Sequence, residues 1–304
     1  MDIEPIFPPE LEREIFETTA ILHPKTIPTL LRVAHRILIW VEPLLYRVIL
    51  SDESMDALRR AMHVKPASFF AASVRHLAFP GRRISSELPA EEIRALLQLC
   101  TNIVSLALNM DTPGLLPIMQ EMKIRRWVGW LVFFFEGNSD AVDLSHPAFR
   151  TVTHLHTFDD LRDDAEVPRL VLERCTRLQV LLVFWDIPEP ARQMAANPPV
   201  TDVRFVVCIH GGVYRKDWEV GARGGTDMWT AADTFVARKR RREIDTSCYL
   251  LEHLVDYPRP SQRGSLRWSH RSRRQTAWCA LFHSKFTGQS CLCLVPDFRE
   301  SLSL

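Results

Sequence analysis

Leu99-Cys100-Thr101-Asn102-Ile103-Val104-Ser105-Leu106-Ala107-Leu108 and Arg174-Cys175-Thr176-Arg177-Leu178-Gln179-Val180-Leu181-Leu182-Val183 are one ten-residue pattern occurring twice. In each, a Cys-Thr pair precedes an apolar residue that is followed three and five positions later by two more. The same spacing recurs at Val74, Leu77, Phe79; at Val128, Leu131, Phe133; at Val152, Leu155, Thr157; and at Val203, Val206, Cys208. Successive starts lie 29, 25, 24, 26 and 25 residues apart, and Pro147 and Pro198 each stand five residues before a start. A period of that length predicts stacked units of one short strand and one return segment, none able to bury its apolar face alone. An ordinary α/β domain would also supply apolar runs, because parallel strands are buried on both faces. Both readings place the chain in the α/β class with a parallel sheet.

The period and the Leu-x-x-Leu-x-Leu core resemble leucine-rich repeats, and the resemblance implies a solenoid with a curved parallel sheet. The repeats are degenerate: no asparagine ladder follows the cores, where Pro80, Asn109, Phe134, Phe158, Phe184 and Ile209 stand instead. Side chains alternate across a strand, so core residues facing inward would turn the interleaved residues to the concave side. Trp130, Val132, His154, His156, Leu182 and Phe205 are then the candidate target-binding residues, aromatic and aliphatic for an open sheet. Such a patch marks an interaction site or lies under another part of the chain.

The first fifty residues have a different pattern. Phe7-Pro8-Pro9-Glu10-Leu11 opens a helix whose prolines suit its first turn, with Leu11, Ile15 and Phe16 on one side. His23-Pro24 ends it. A second helix is expected from Thr26 to Pro28 onward, carrying Leu30, Leu31, Val33, Ala34, Ile37, Leu38 and Trp40, with a break or kink at Pro43. About forty residues make too small a core to stand alone, so a covering partner is expected.

This stretch, Phe7 to Ile49, resembles an F-box, the helical motif that docks on the Skp-type adaptor of cullin–RING ubiquitin ligases. The carrying residues are Pro8-Pro9-Glu10-Leu11, Ile15-Phe16, Leu30-Leu31-Arg32-Val33-Ala34-His35-Arg36, and Trp40 with Pro43-Leu44-Leu45-Tyr46. Up to about Tyr249 the chain is similar to the large mushroom group of F-box-like proteins with degenerate leucine-rich repeats. The resemblance implies a substrate-recognition adaptor with two partners, a Skp-type adaptor protein and a target protein. It places adaptor contacts at Pro8, Pro9, Leu11, Ile15, Phe16, Leu30, Leu31, Val33 and Trp40. A repeat scaffold without a ligase is the alternative, its helices capping the first repeat.

Composition sets bounds on both. With 304 residues, 46% hydrophobic, 25% charged and a net charge of +1, the chain is globular, and nucleic acid is not expected as a partner. Its longest apolar run, Trp127 to Phe135 with one glycine, is far below the ~20 residues that cross a bilayer, and the acidic start at Asp2 and Glu4 lacks the pattern of a signal peptide. A cytoplasmic or nuclear location is expected, with the seven cysteines reduced.

Chemistry is sparse. There is no Gly-x-Ser-x-Gly elbow, no phosphate-binding Gly-x-x-x-x-Gly-Lys loop and no His-Glu-x-x-His. His210-Gly211-Gly212 lacks a serine to serve and reads as a turn. His154-x-His156 puts two imidazoles on one face without a third clustered ligand, and Cys291-x-Cys293 with His283 does not have the spacing of common zinc modules. No enzyme activity, metal or cofactor is expected.

The resulting division is an F-box-like unit at 1–50, a helical linker at 51–73, the repeats at 74–215, a helical cap at 216–257 and a basic tail at 258–304. In the cap, Trp229, Ala232, Phe235 and Val236 share a helix face. Arg238-Lys239-Arg240-Arg241-Arg242 reads as cations favoured by the last turn, or as a nuclear-localisation run. The tail has eight basic residues against Asp297 and Glu300 and no sustained period, so it is expected to be disordered.

Overall fold

The computed structural model describes residues 7–50, 55–79, 89–108, 114–135, 142–159, 161, 166–185, 187–210 and 214–253. The expectations for 258–304, including Cys291, Cys293 and His283, lie outside the described residues, as do Gly211 and Gly212.

Helices α1 (Pro9–Leu22), α2 (Ile27–Leu30) and α3 (His35–Leu45) form the amino-terminal unit. Pro9 and Glu10 suit the first turn of α1, where backbone N–H groups lack partners and negative charge is favoured. The expected second helix is interrupted: Ala34 is extended, with φ −162° and ψ 155°, which separates α2 from α3. That turn lets Ala20, Ile27, Leu31, Ile37 and Val41 converge in a core of their own. Pro43 does not break α3, because it stands in the last turn and removes little of the remaining ladder.

Eight strands follow in one sheet: β1 (Val48–Leu50), β2 (His76–Phe79), β3 (Ser105–Leu108), β4 (Arg126–Gly129), β5 (His154–Thr157), β6 (Val180–Trp185), β7 (Phe205–His210) and β8 (Leu250–His253). All neighbours are parallel, the order is the chain order, and the sheet does not close. Its lower edge is built by one repeated step. The carbonyl of Arg47 accepts from both Arg75 and His76 N–H (3.1 and 3.0 Å). That of Arg75 accepts from Val104 and Ser105, that of Val104 from Arg125 and Arg126, that of Arg125 from Thr153 and His154, and that of Thr153 from Gln179 and Val180. The same two-donor contact five times running keeps six strand starts at one height.

On one face the register aligns Ile49, Leu77, Leu106, Trp127, Leu155, Leu181 and Phe205, all buried. Helices α4 (Met55–Val64), α5 (Ala67–Ser73), α6 (Ala90–Leu99), α7 (Leu116–Met119), α9 (Glu166–Arg174) and α10 (Pro188–Ala196) contribute to the core on this side, and the one-turn helix α8 (Leu131–Phe134) adds Leu131 and Phe134. Each fully buried Leu, Ile or Phe stabilises by about 1.5–3 kcal/mol over exposure. The paired Cys-Thr segments are realised as matching turns: Cys100 N–H donates to Leu96 O and Cys175 N–H to Val171 O, both at 3.0 Å.

Two repeat registers need correction. In β4 the inward residue is Trp127, with Ile124 three positions before it, rather than Leu131 with Val128. The indole lies over Gly129, where a Cβ would stand 3.0 Å from its Cζ2 and 2.8 Å from Leu108 O. In β7 Phe205 pairs with Leu181 and faces inward, and Val206 and Cys208 face the other way. A strand apolar on both faces carries no alternation to fix its register.

The opposite face is covered. After β7 the chain forms α11 (Tyr214–Ala222) and α12 (Met228–Arg240), which pack with Ala78, Ala107, Val128, Val180, Leu182 and Val206 in a second core before the chain returns as β8. The cap expected at 216–257 is therefore a cover over the sheet that ends in a further strand. Trp229, Ala232, Phe235 and Val236 are buried on one side of α12 as the spacing predicts.

Candidate functional site

Two surfaces stand out: the outer side of α1, and a cleft at the strand-start edge of the sheet. On α1, Leu11 and Ile15 are each 49% exposed and Leu22 is 67% exposed, on one stripe at helical spacing. The other side holds the helix to its unit, through Ala20 in the core and through Glu12, whose carboxylate accepts two bonds from Arg36 (2.8 and 2.7 Å). Val33, in the turn between α2 and α3, is 57% exposed. The residues expected to contact an adaptor thus divide. Pro8, Pro9, Leu11, Ile15 and Val33 are exposed; Phe16, Leu30 and Trp40 are half-buried; Leu31 is buried in the unit's own core. Lys65 Nζ, 2.7 Å from Glu42, and the edge-on contact of Tyr46 with Phe69 fasten the unit to α4 and α5.

The expected open target face is corrected. His156, Leu182 and Phe205 are fully buried and His154 nearly so. Trp130 precedes α8 and Val132 lies on it, both half-buried, so neither belongs to a strand. Phe205 is in the inner core, and the others on this face meet α11 and α12: His156 packs against Tyr214 and Trp229. The cover is held by polar contacts that sequence reasoning did not single out. His154 Nε2 lies 2.9 Å from Asp233 Oδ1, and Arg126 Nη1 is 3.3 Å from Asp227 Oδ2. Asp227 also caps α12 by accepting the Thr230 N–H at 2.9 Å. Buried Asp217 accepts the Met228 N–H at 2.9 Å. Gly221 makes the close approach possible, since a Cβ there would fall 1.8 Å from Asp227 Oδ2.

The cleft, about 770 Å³, lies between the amino-terminal unit and the end of α11. Ala20, Ile21, Pro24, Ile27 and Leu44 form an apolar wall. The same lining carries Arg47, Lys123, Arg125, Arg126, Arg177 and Arg223, with His76 and His154 at the strand starts, and holds no carboxylate. Burial, and then the guanidiniums of Arg47, Arg126, Arg75 and Arg223, hold His76 down to about 4.

The buried thiols are not poised as nucleophiles. Burial pushes the thiols of Cys100 and Cys208 up to about 12 and that of Cys175 up to about 11, away from the thiolate a nucleophile requires. Tyr214 is likewise raised by burial. Among the described residues no group of three or more His, Cys, Asp or Glu is placed to hold a metal ion, and no helix is long and apolar enough to cross a membrane. No family model, no curated protein and no solved structure matches the chain.

Proposed function

We propose that the protein is a non-catalytic adaptor: the amino-terminal helical unit docks on the Skp-type subunit of a cullin–RING ubiquitin ligase, and the α/β body holds a target protein. Its contribution is then proximity rather than bond chemistry. The observation that supports this reading is the stripe Leu11, Ile15 and Leu22 on α1, left uncovered, as Val33 also is, on a unit that has a core of its own. A helix that only capped the sheet would have no reason to keep that many large apolar residues in water. The reading places the protein in the cytoplasm or nucleus. The covered face of the sheet is not its target site.

Co-purification of the full chain with a recombinant Skp-type adaptor tests it. Truncating an interface anchor costs 2 kcal/mol or more, roughly thirtyfold in affinity, so Leu11→Ala with Ile15→Ala should abolish recovery while the melting temperature holds. Absence of adaptor binding by the unaltered chain, or normal recovery with the double variant, would overturn the proposal.

A further inference from the structure

The cleft at the strand-start edge is independent of adaptor docking, and its charge needs an account. Six cationic side chains line it, of which Arg126 and Arg223 have carboxylate partners, Asp227 at 3.3 Å and Glu219 at 3.0 Å. Arg47, Lys123, Arg125 and Arg177 form no ion pair among the described residues. Several cations and no carboxylate in one lining give the cleft a positive potential that favours an anion.

The apolar part of the lining limits what an occupant is. Ile21, Pro24, Ile27 and Leu44 offer an apolar surface in the same cleft as the cations, so a simple inorganic anion would leave that part of it unused. The volume falls within the range of small-molecule sites, about 300–1,000 Å³. We propose that the cleft binds a small organic polyphosphate of nucleoside di- or triphosphate size, its phosphates among Lys123, Arg125 and Arg177 and its flat apolar part against Ile21, Pro24 and Leu44. Guanidinium forks match phosphate oxygens two at a time, which favours phosphate over a lone carboxylate. The cations come from segments far apart in the chain, and the repeated edge step at Arg47, Arg75, Val104, Arg125 and Thr153 brings them level.

Calorimetric titration of the full chain with ATP, inorganic tripolyphosphate and adenosine tests the assignment. ATP should bind at least tenfold more tightly than tripolyphosphate, adenosine should give no heat, and affinity should fall steeply with added salt. Arg125→Gln with Arg177→Gln should weaken ATP at least tenfold. Ile21→Ser, a change at an exposed position, should bring ATP toward tripolyphosphate without moving the melting temperature. No binding of ATP, tripolyphosphate equal to ATP, ATP affinity unchanged in the double variant, or tighter capture of an oligoglutamate peptide or a single-stranded oligonucleotide would each overturn it.

Discussion

His253 Nε2 lies 3.0 Å from Asp217 Oδ1, joining the last strand to the helix that begins the crossing of the sheet's second face. Asp217 is fully buried and accepts the Met228 N–H through its other oxygen, so one carboxylate ties β8, α11 and the start of α12 together. Leaving those donors in place without their acceptor costs the desolvation of each. Asp217→Leu should lower stability by about 2–5 kcal/mol, read from urea denaturation, with Trp218 and Trp229 fluorescence reporting loss of the cover first. Unchanged stability would show that the junction is held by packing alone.

Phe205 tests the inward assignment of β7. Fully buried beside Leu181 and 6.0 Å from the Tyr249 ring, it should cost about 3–5 kcal/mol on change to Ala. A surface residue would cost under about 0.5 kcal/mol, and a midpoint shift in denaturant separates the two.

The amino-terminal unit makes an internal contrast. Leu31 lies 8% exposed among Ile27, Ile37 and Val41, whereas Leu11 is 49% exposed. Leu31→Ala should destabilise by about 2–5 kcal/mol and Leu11→Ala by less than about 0.5 kcal/mol. Thermal melts of the two variants decide it, and equal losses would mean that the α1 stripe is packed in solution.

Acid should weaken the protein through His76. The folded state holds this imidazole at about 4 against an ordinary 6.5, so the unfolded chain binds the extra proton first. Its contribution is present in full above pH 6.5 and is lost as the pH falls toward 4, by up to about 3 kcal/mol. His76→Gln should flatten that part of the stability–pH curve. Denaturation midpoints at pH 7 and pH 4.5 check it, and parallel losses in both proteins would refute it.

Much of the sheet was legible because its units repeat. Leu77, Leu106, Leu155 and Leu181 are spaced for inward positions and occupy them, and the matched Cys100 and Cys175 segments form matching turns. Where the pattern is degenerate, spacing does not fix the register. In the apolar run from Trp127 to Phe135 two registers fit equally, and the size match of Trp127 with Gly129 decided between them. In β7 both faces are apolar, so alternation gave no direction. Strands β1 and β8 are not legible in the sequence, because three or four residues beside a helical unit or a helical cap carry too little pattern.

From the sequence alone came the α/β class, the parallel repeat and a separate amino-terminal helical unit, since spacing along the chain encodes which residues share a side. Only the tertiary structure decided that α11 and α12 cover the second face, that Leu31 is core while Leu11 and Ile15 are surface, and that Arg47, Lys123, Arg125 and Arg177 meet at one cleft. Periodicity reports that a side chain has a buried side. What buries it depends on contacts between segments a hundred residues apart, such as Arg126 with Asp227, and no local spacing contains them.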